Sequence, residues 1–111
     1  MSAEELNRVV ELFVRQVGHW SQPRWSARVS GSDADPTGES RADLVYRLVQ
    51  EIADMAADSE GEPRRAVPRL DSDLALPDQL RVVAADLVAA GATDEVLAAA
   101  TAKIAAVRRT L

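Results

Sequence analysis

The sequence predicts an all-α domain, a four-helix bundle with one long loop over residues 21–40. Three observations predict it. Apolar side chains recur at three- and four-residue steps over residues 3–20, 41–58, 77–90 and 94–109, the period of a helix with one buried face. No stretch of useful length shows the two-residue alternation of a strand. Alanine, the best helix former, fills 20 of the 111 positions. A chain of this length matches one domain, so residues 1–111 are read as a single helical unit.

The first helix, residues 3–20, opens on Ser2 with Glu5 three positions on, the spacing of a capping box. Leu6, Val10, Phe13, Val17 and Trp20 form one stripe. Val9 widens it, and Leu12 and Val14 flank it, so the helix is more apolar than one buried face requires. Residues 21–40 follow as a loop because Pro23, Gly31, Pro36 and Gly38 punctuate them, with Ser and Asp between. A structureless segment this long is unusual inside a compact domain, which marks it for attention.

The second helix, residues 41–58, takes Ser40 as its N-cap. Val45, Leu48, Ile52 and Met55 make its stripe, with Leu44 and Val49 beside it. Pro63 and Pro68 exclude a regular helix from the next loop, where Arg64, Arg65 and Arg69 cluster with Glu60, Glu62 and Asp71 close enough to neutralise them. The third helix, residues 77–90, starts on Pro77 and stops at Gly91, residues suited to those positions. Its stripe is Leu80, Val83, Leu87 and Ala90. The fourth, residues 94–109, places Asp94 and Glu95 in its first turn and Arg108 and Arg109 in its last, each complementing the helix dipole. Leu97, Ala100, Ile104, Val107 and Leu111 form a narrow seam. The short link between these last two helices predicts an antiparallel hairpin. Ala84, Ala98 and Ala105 permit close helix approach, and the alanine-rich last helix together with the wide first one predicts a homodimer.

Composition removes several functional classes. The net charge is −5 and both signs are mixed along the chain, so no basic stripe for a phosphate backbone is present and nucleic acid is not expected. No run approaches the ~20 apolar residues of a membrane span. Cysteine is absent, which excludes disulfides and thiolate chemistry. The acidic start lacks the apolar run of a signal peptide, and the chain is read as cytoplasmic. His19 is the sole histidine, whereas zinc needs several N or S donors. Residues 33–38 resemble the first half of an EF-hand loop, with Asp33, Asp35 and Thr37 alternating before Gly38. The pattern then departs, with Ser40 at the eighth place and Leu44 at the twelfth, where a bidentate Glu belongs. No metal site, no cofactor and no catalytic set is assigned. Glu51, Asp54 and Asp58 share a helix face, as solvated charge commonly does.

The functional expectation is therefore a non-enzymatic protein–protein interaction module. Trp20, Arg24 and Trp25 are its partner-binding candidates, since Trp and Arg dominate interface hot spots. The competing reading of the two indoles is core packing at the helix exit. The partner is another protein or a second copy. A different class is suggested by Asp71-Ser72-Asp73-Leu74, which resembles the Asp-Ser-Leu site of acyl carrier proteins, also small, acidic helical bundles. That resemblance implies a carrier modified at Ser72. It covers about four residues, places Leu74 one position late, and Pro77 delays the helix start. A third possibility is a small-ligand pocket under the 21–40 loop.

Overall fold

The computed structural model describes residues 2–29 and 39–111, the side chain of Ser2 excepted. Five α-helices and one 3₁₀ turn account for most of them: α1 (Ser2–Val17), α2 (Gln22–Ser26), α3 (Arg41–Glu60), the turn Asp73–Ala75, α4 (Leu76–Ala89) and α5 (Asp94–Thr110). Among the described residues there is no strand; a single antiparallel bridge joins Arg28 to Ser40.

Two expected boundaries are corrected. The first helix stops at Val17, short of Trp20. The Gly18 N–H donates to the Val14 carbonyl at 2.7 Å, and the Trp20 N–H to the Val17 carbonyl at 3.0 Å, so the chain leaves the helix in a tight turn. A Cβ at Gly18 would lie 2.6 Å from the Val14 oxygen, a contact only glycine avoids. Residues 21–40 are likewise not one loop. Ser21 sits in extended geometry and Pro23 in the first turn of α2, where a missing N–H costs nothing. After α2 the chain pairs briefly with the residues leading into α3: Val29 N–H donates to Glu39 O, and Arg41 N–H to Ala27 O.

The remaining helices end as their capping residues dictate. Ser40 Oγ accepts from Asp43 N–H, and Thr93 Oγ1 from Val96 N–H. Gly61 closes α3 in the left-handed region, at φ 70°. α3 runs two residues beyond the expected 58 because Ser59 and Glu60 keep helical geometry up to that glycine.

The four long helices pack in a ring. α1 lies against α4 and α5, and α3 lies against α4 and α5. The antiparallel hairpin expected from the short 90–93 link is thus not a packed pair, because α4 and α5 scarcely touch. The buried ridge of α4 (Leu80, Val83, Ala84, Leu87) turns into the space between α1 and α3 instead. The interior holds every expected stripe residue of α1, with Val45, Leu48, Ile52, Leu97, Ala100 and Ile104. Val49, expected on a flank, is wholly buried, whereas Met55, Ala90, Val107 and Leu111 are only partly covered. Each fully buried aliphatic side chain contributes roughly 1.5–3 kcal/mol, so these ridges dominate stability.

α3 and α4 run in the same direction, which requires the intervening chain to travel back along α3. Residues 61–72 do so as an extended strap. Arg64 binds Asp58 near the end of α3, Gln50 and Tyr46 take the middle of the strap, and Arg69 reaches Asp43 near the helix start. The strap is held mainly by its backbone. Gln50 Nε2 donates to the Arg65 carbonyl at 3.0 Å, Tyr46 Oη donates to the Val67 carbonyl, and Gln79 Nε2 donates to the Pro68 carbonyl at 3.0 Å. Arg69 also lies over the Tyr46 ring, 4.8 Å from its centroid.

Candidate functional site

The tryptophan block forms a corner where the exit of α1, all of α2 and the start of α3 meet. Trp20 and Trp25 are 5% and 1% exposed. Their rings meet edge to face, with centroids 5.0 Å apart and planes at 63°, an arrangement aromatic pairs favour. α2 exists to place this pair: its one buried residue is Trp25, and its single turn brings that indole back beside Trp20. The aromatic pair is therefore interior, as the packing reading expected. Of the three candidate anchors only Arg24 is exposed. A partner that meets this corner meets guanidinium, with indole behind it.

Two arginines surround the Trp20 ring. Arg24 Cζ lies 4.7 Å from its centroid and Arg41 Cζ 5.8 Å. A cation over an indole face is held by the ring quadrupole. Arg41 Nε is buried and has no hydrogen-bond partner among the described residues. Three carboxylates of the described residues next to this corner in the chain or bonded to α2 are committed elsewhere. Glu39 pairs with Arg47 at 3.0 Å, Asp43 with Arg69 at 3.1 Å, and Asp73 with Arg69 and Gln22. His19 is exposed beside this corner.

The other candidates lie apart. Ser72 is exposed, and its Oγ accepts the Leu74 N–H at 3.3 Å, so the hydroxyl caps the 3₁₀ turn, with α4 beginning four residues on. Residues 33–38, the EF-hand-like segment, fall outside the described residues. Among the described residues no group of three or more His, Cys, Asp or Glu is placed to hold a metal ion. Among the described residues no helix is long and apolar enough to cross a membrane. Three surface hollows lie away from the tryptophan corner. One of about 350 Å³ lies between the end of α3 and the 91–93 link, a second of about 200 Å³ between α3 and α5, and a third of about 600 Å³ between the strap, α3 and α4.

Two arrangements escaped the sequence reading. One is the grip of Gln50 and Tyr46 on the strap. Its available signal was a pair of polar side chains four residues apart beside the α3 stripe. The other is the outer face of α5, which carries Glu95, Ala98, Ala99, Ala102, Ala106 and Arg109, all exposed. The sequence reading noted its alanines without seeing the symmetry of the charges around them.

Comparison of the chain with protein-family models, with curated proteins and with solved structures found no match.

Proposed function

We propose that this chain is a helical protein–protein interaction module, a bundle of its four long helices, that associates with a second copy of itself through the outer face of α5. The pattern of that face carries the proposal. Glu95 and Arg109 stand equally far, seven residues each, on either side of Ala102, and Ala98 and Ala106 stand four residues on either side. A two-fold axis at Ala102 would set two antiparallel copies of α5 together. Glu95 of each copy would then oppose Arg109 of the other, with alanines between. The charges are ~21 Å apart along the helix, two widely separated contacts that fix register. Small side chains allow close approach of the helix axes. Within the chain, neither Glu95 nor Arg109 takes part in the ion pairs found among the described residues. An isologous contact of this kind is the commonest route to a homodimer.

Sedimentation equilibrium across micromolar concentrations tests the reading. The wild type is expected to dimerise, Glu95→Arg to weaken the dimer, and the Glu95→Arg, Arg109→Glu double variant to recover it, with circular dichroism confirming retained helix. A wild type that stays monomeric throughout overturns the proposal. So does a double variant that keeps its helicity yet fails to recover.

A second reading keeps Ser72 as a carrier attachment point, supported by the exposure of its side chain at a helical turn. Incubation with a phosphopantetheinyl transferase and coenzyme A would add a prosthetic group visible by mass spectrometry if this reading holds; an unchanged mass removes it.

A further inference from the structure

We infer that the tryptophan corner binds an oxyanion of the phosphate monoester class, held by Arg24 and Arg41 around the Trp20 ring. The inference is independent of self-association through α5.

Four observations converge. Two guanidiniums from different helices are gathered at one indole, Arg24 from α2 and Arg41 from the first position of α3. Among the described residues no carboxylate forms an ion pair with either. The Arg41 Nε–H is buried without an acceptor among the described residues, and a buried donor left unpaired costs roughly 1–3 kcal/mol. The surrounding acids, Glu39, Asp43 and Asp73, are already bonded to Arg47, Arg69 and Gln22. In a chain of net charge −5 this gathers two positive charges at one corner, with no ion-paired carboxylate among the described residues and one of their donors, Arg41 Nε, unpartnered there.

The chemistry selects the ligand. Guanidinium presents a fork of N–H donors that matches the oxygens of phosphate or carboxylate. Two such groups bring two positive charges. A phosphate monoester carries about −1.5 to −2 at neutral pH with three acceptor oxygens, and matches the pair better than a single carboxylate. Trp20 draws both cations to its ring, which lowers the entropy lost when they close on an anion. Arg24 is exposed, so the ligand's remaining bulk can stay in solvent, as suits a small phosphate monoester or a phosphorylated side chain of a partner.

The test is an NMR titration of the full chain that follows the Arg41 Nε–H and Trp20 indole N–H resonances. The probes are inorganic phosphate, a short phosphoserine peptide, the same peptide with glutamate in that place, and sodium chloride matched for ionic strength. Expected is a saturable shift of both resonances with phosphate and with the phosphopeptide. Binding should weaken by roughly tenfold or more in Arg24→Gln, the loss of a charge-assisted hydrogen bond. Arg24→Lys retains charge without the fork and should fall between. Tighter binding of the phosphopeptide than of phosphate assigns the site to a partner's modified segment; equal binding assigns it to small phosphate monoesters. The inference is overturned by shifts that sodium chloride reproduces, by a glutamate peptide that binds as tightly as the phosphopeptide, or by Arg24→Gln binding unchanged. Arg24 is a surface residue, so its variants read the site even if Arg41→Gln fails to fold.

Discussion

Gln50 holds Val67 and Arg65 with both ends of one side-chain amide: Oε1 accepts the Val67 N–H at 2.8 Å while Nε2 donates to the Arg65 carbonyl at 3.0 Å. A single helix residue thereby satisfies two backbone groups of a segment that has no secondary structure of its own. Replacing Gln50 by Ala removes both bonds together. The expected loss is about 1–3 kcal/mol in chemical denaturation, because the strap groups lose partners as well as contacts. Hydrogen exchange at the Val67 amide should accelerate more than the global loss explains. Exchange at Val67 that stays slow in Gln50→Ala would show that the strap is held by other means.

Trp25 should behave as a core residue. Truncation to Ala empties the space beside Trp20 and is expected to cost about 3–5 kcal/mol. In the wild type the tryptophan emission should be blue-shifted and resistant to soluble quenchers, since both rings are buried. Red-shifted, freely quenched emission would contradict the described corner.

Gly18 is a position where added bulk meets backbone. Gly18→Ala places a Cβ against the Val14 carbonyl and forces the exit of α1 to shift. A loss of about 1–3 kcal/mol is expected, as for other steric insertions that the fold relieves by moving. The shift should also change the fluorescence of Trp20, two residues on. Gly91→Ala offers the comparison: its φ of 73° is strained for alanine, but the added atom meets nothing, and the tryptophan signal should be unmoved.

Asp58 should titrate below the ordinary carboxylate range. The side-chain hydrogen bond from Arg64 is the largest cause, opposed by desolvation and helped by the Arg64 charge. A lowered folded-state value means the pair's contribution is present above the unfolded-state value and is lost as pH falls through the folded one. The pair is exposed, so its effect on stability is small and the residue's own titration is the better readout. A carboxyl-detected NMR titration should show the Asp58 midpoint rising in Arg64→Ala; an unchanged midpoint would separate the two side chains.

The interior was largely legible because helix burial follows a 3.6-residue period that the spacing of apolar residues reveals. Leu6, Val10, Phe13, Ile52, Leu80 and Ile104 all fall where their spacing put them. The exit of α1 was missed because Trp20 continues the apolar period while Gly18 ends the helix sterically, and periodicity does not register a backbone contact. α2 was missed because five residues are too few for a period, although Ser21 followed by Pro23 is a start signal. The ring order of the helices was not legible, since a short link sets sequence proximity and the apolar ridges set spatial partners. The candidate site was half legible. A tryptophan at a helix exit, with an arginine and a second tryptophan in the loop after it, marked the corner, but only coordinates show that the indoles face inward and that Arg41, twenty-one residues beyond Trp20, completes it.

The ring order also has a consequence for synthesis. α1 and α3 are kept apart by α4 on one side and by α5 on the other, so α5, made after the other three, closes the second side of the ring. Until Leu97, Ala100 and Ile104 emerge, the inward ridges of α1 and α3 remain open to water on that side. The nascent chain then offers a long apolar trough to whatever chaperone or neighbouring chain reaches it first.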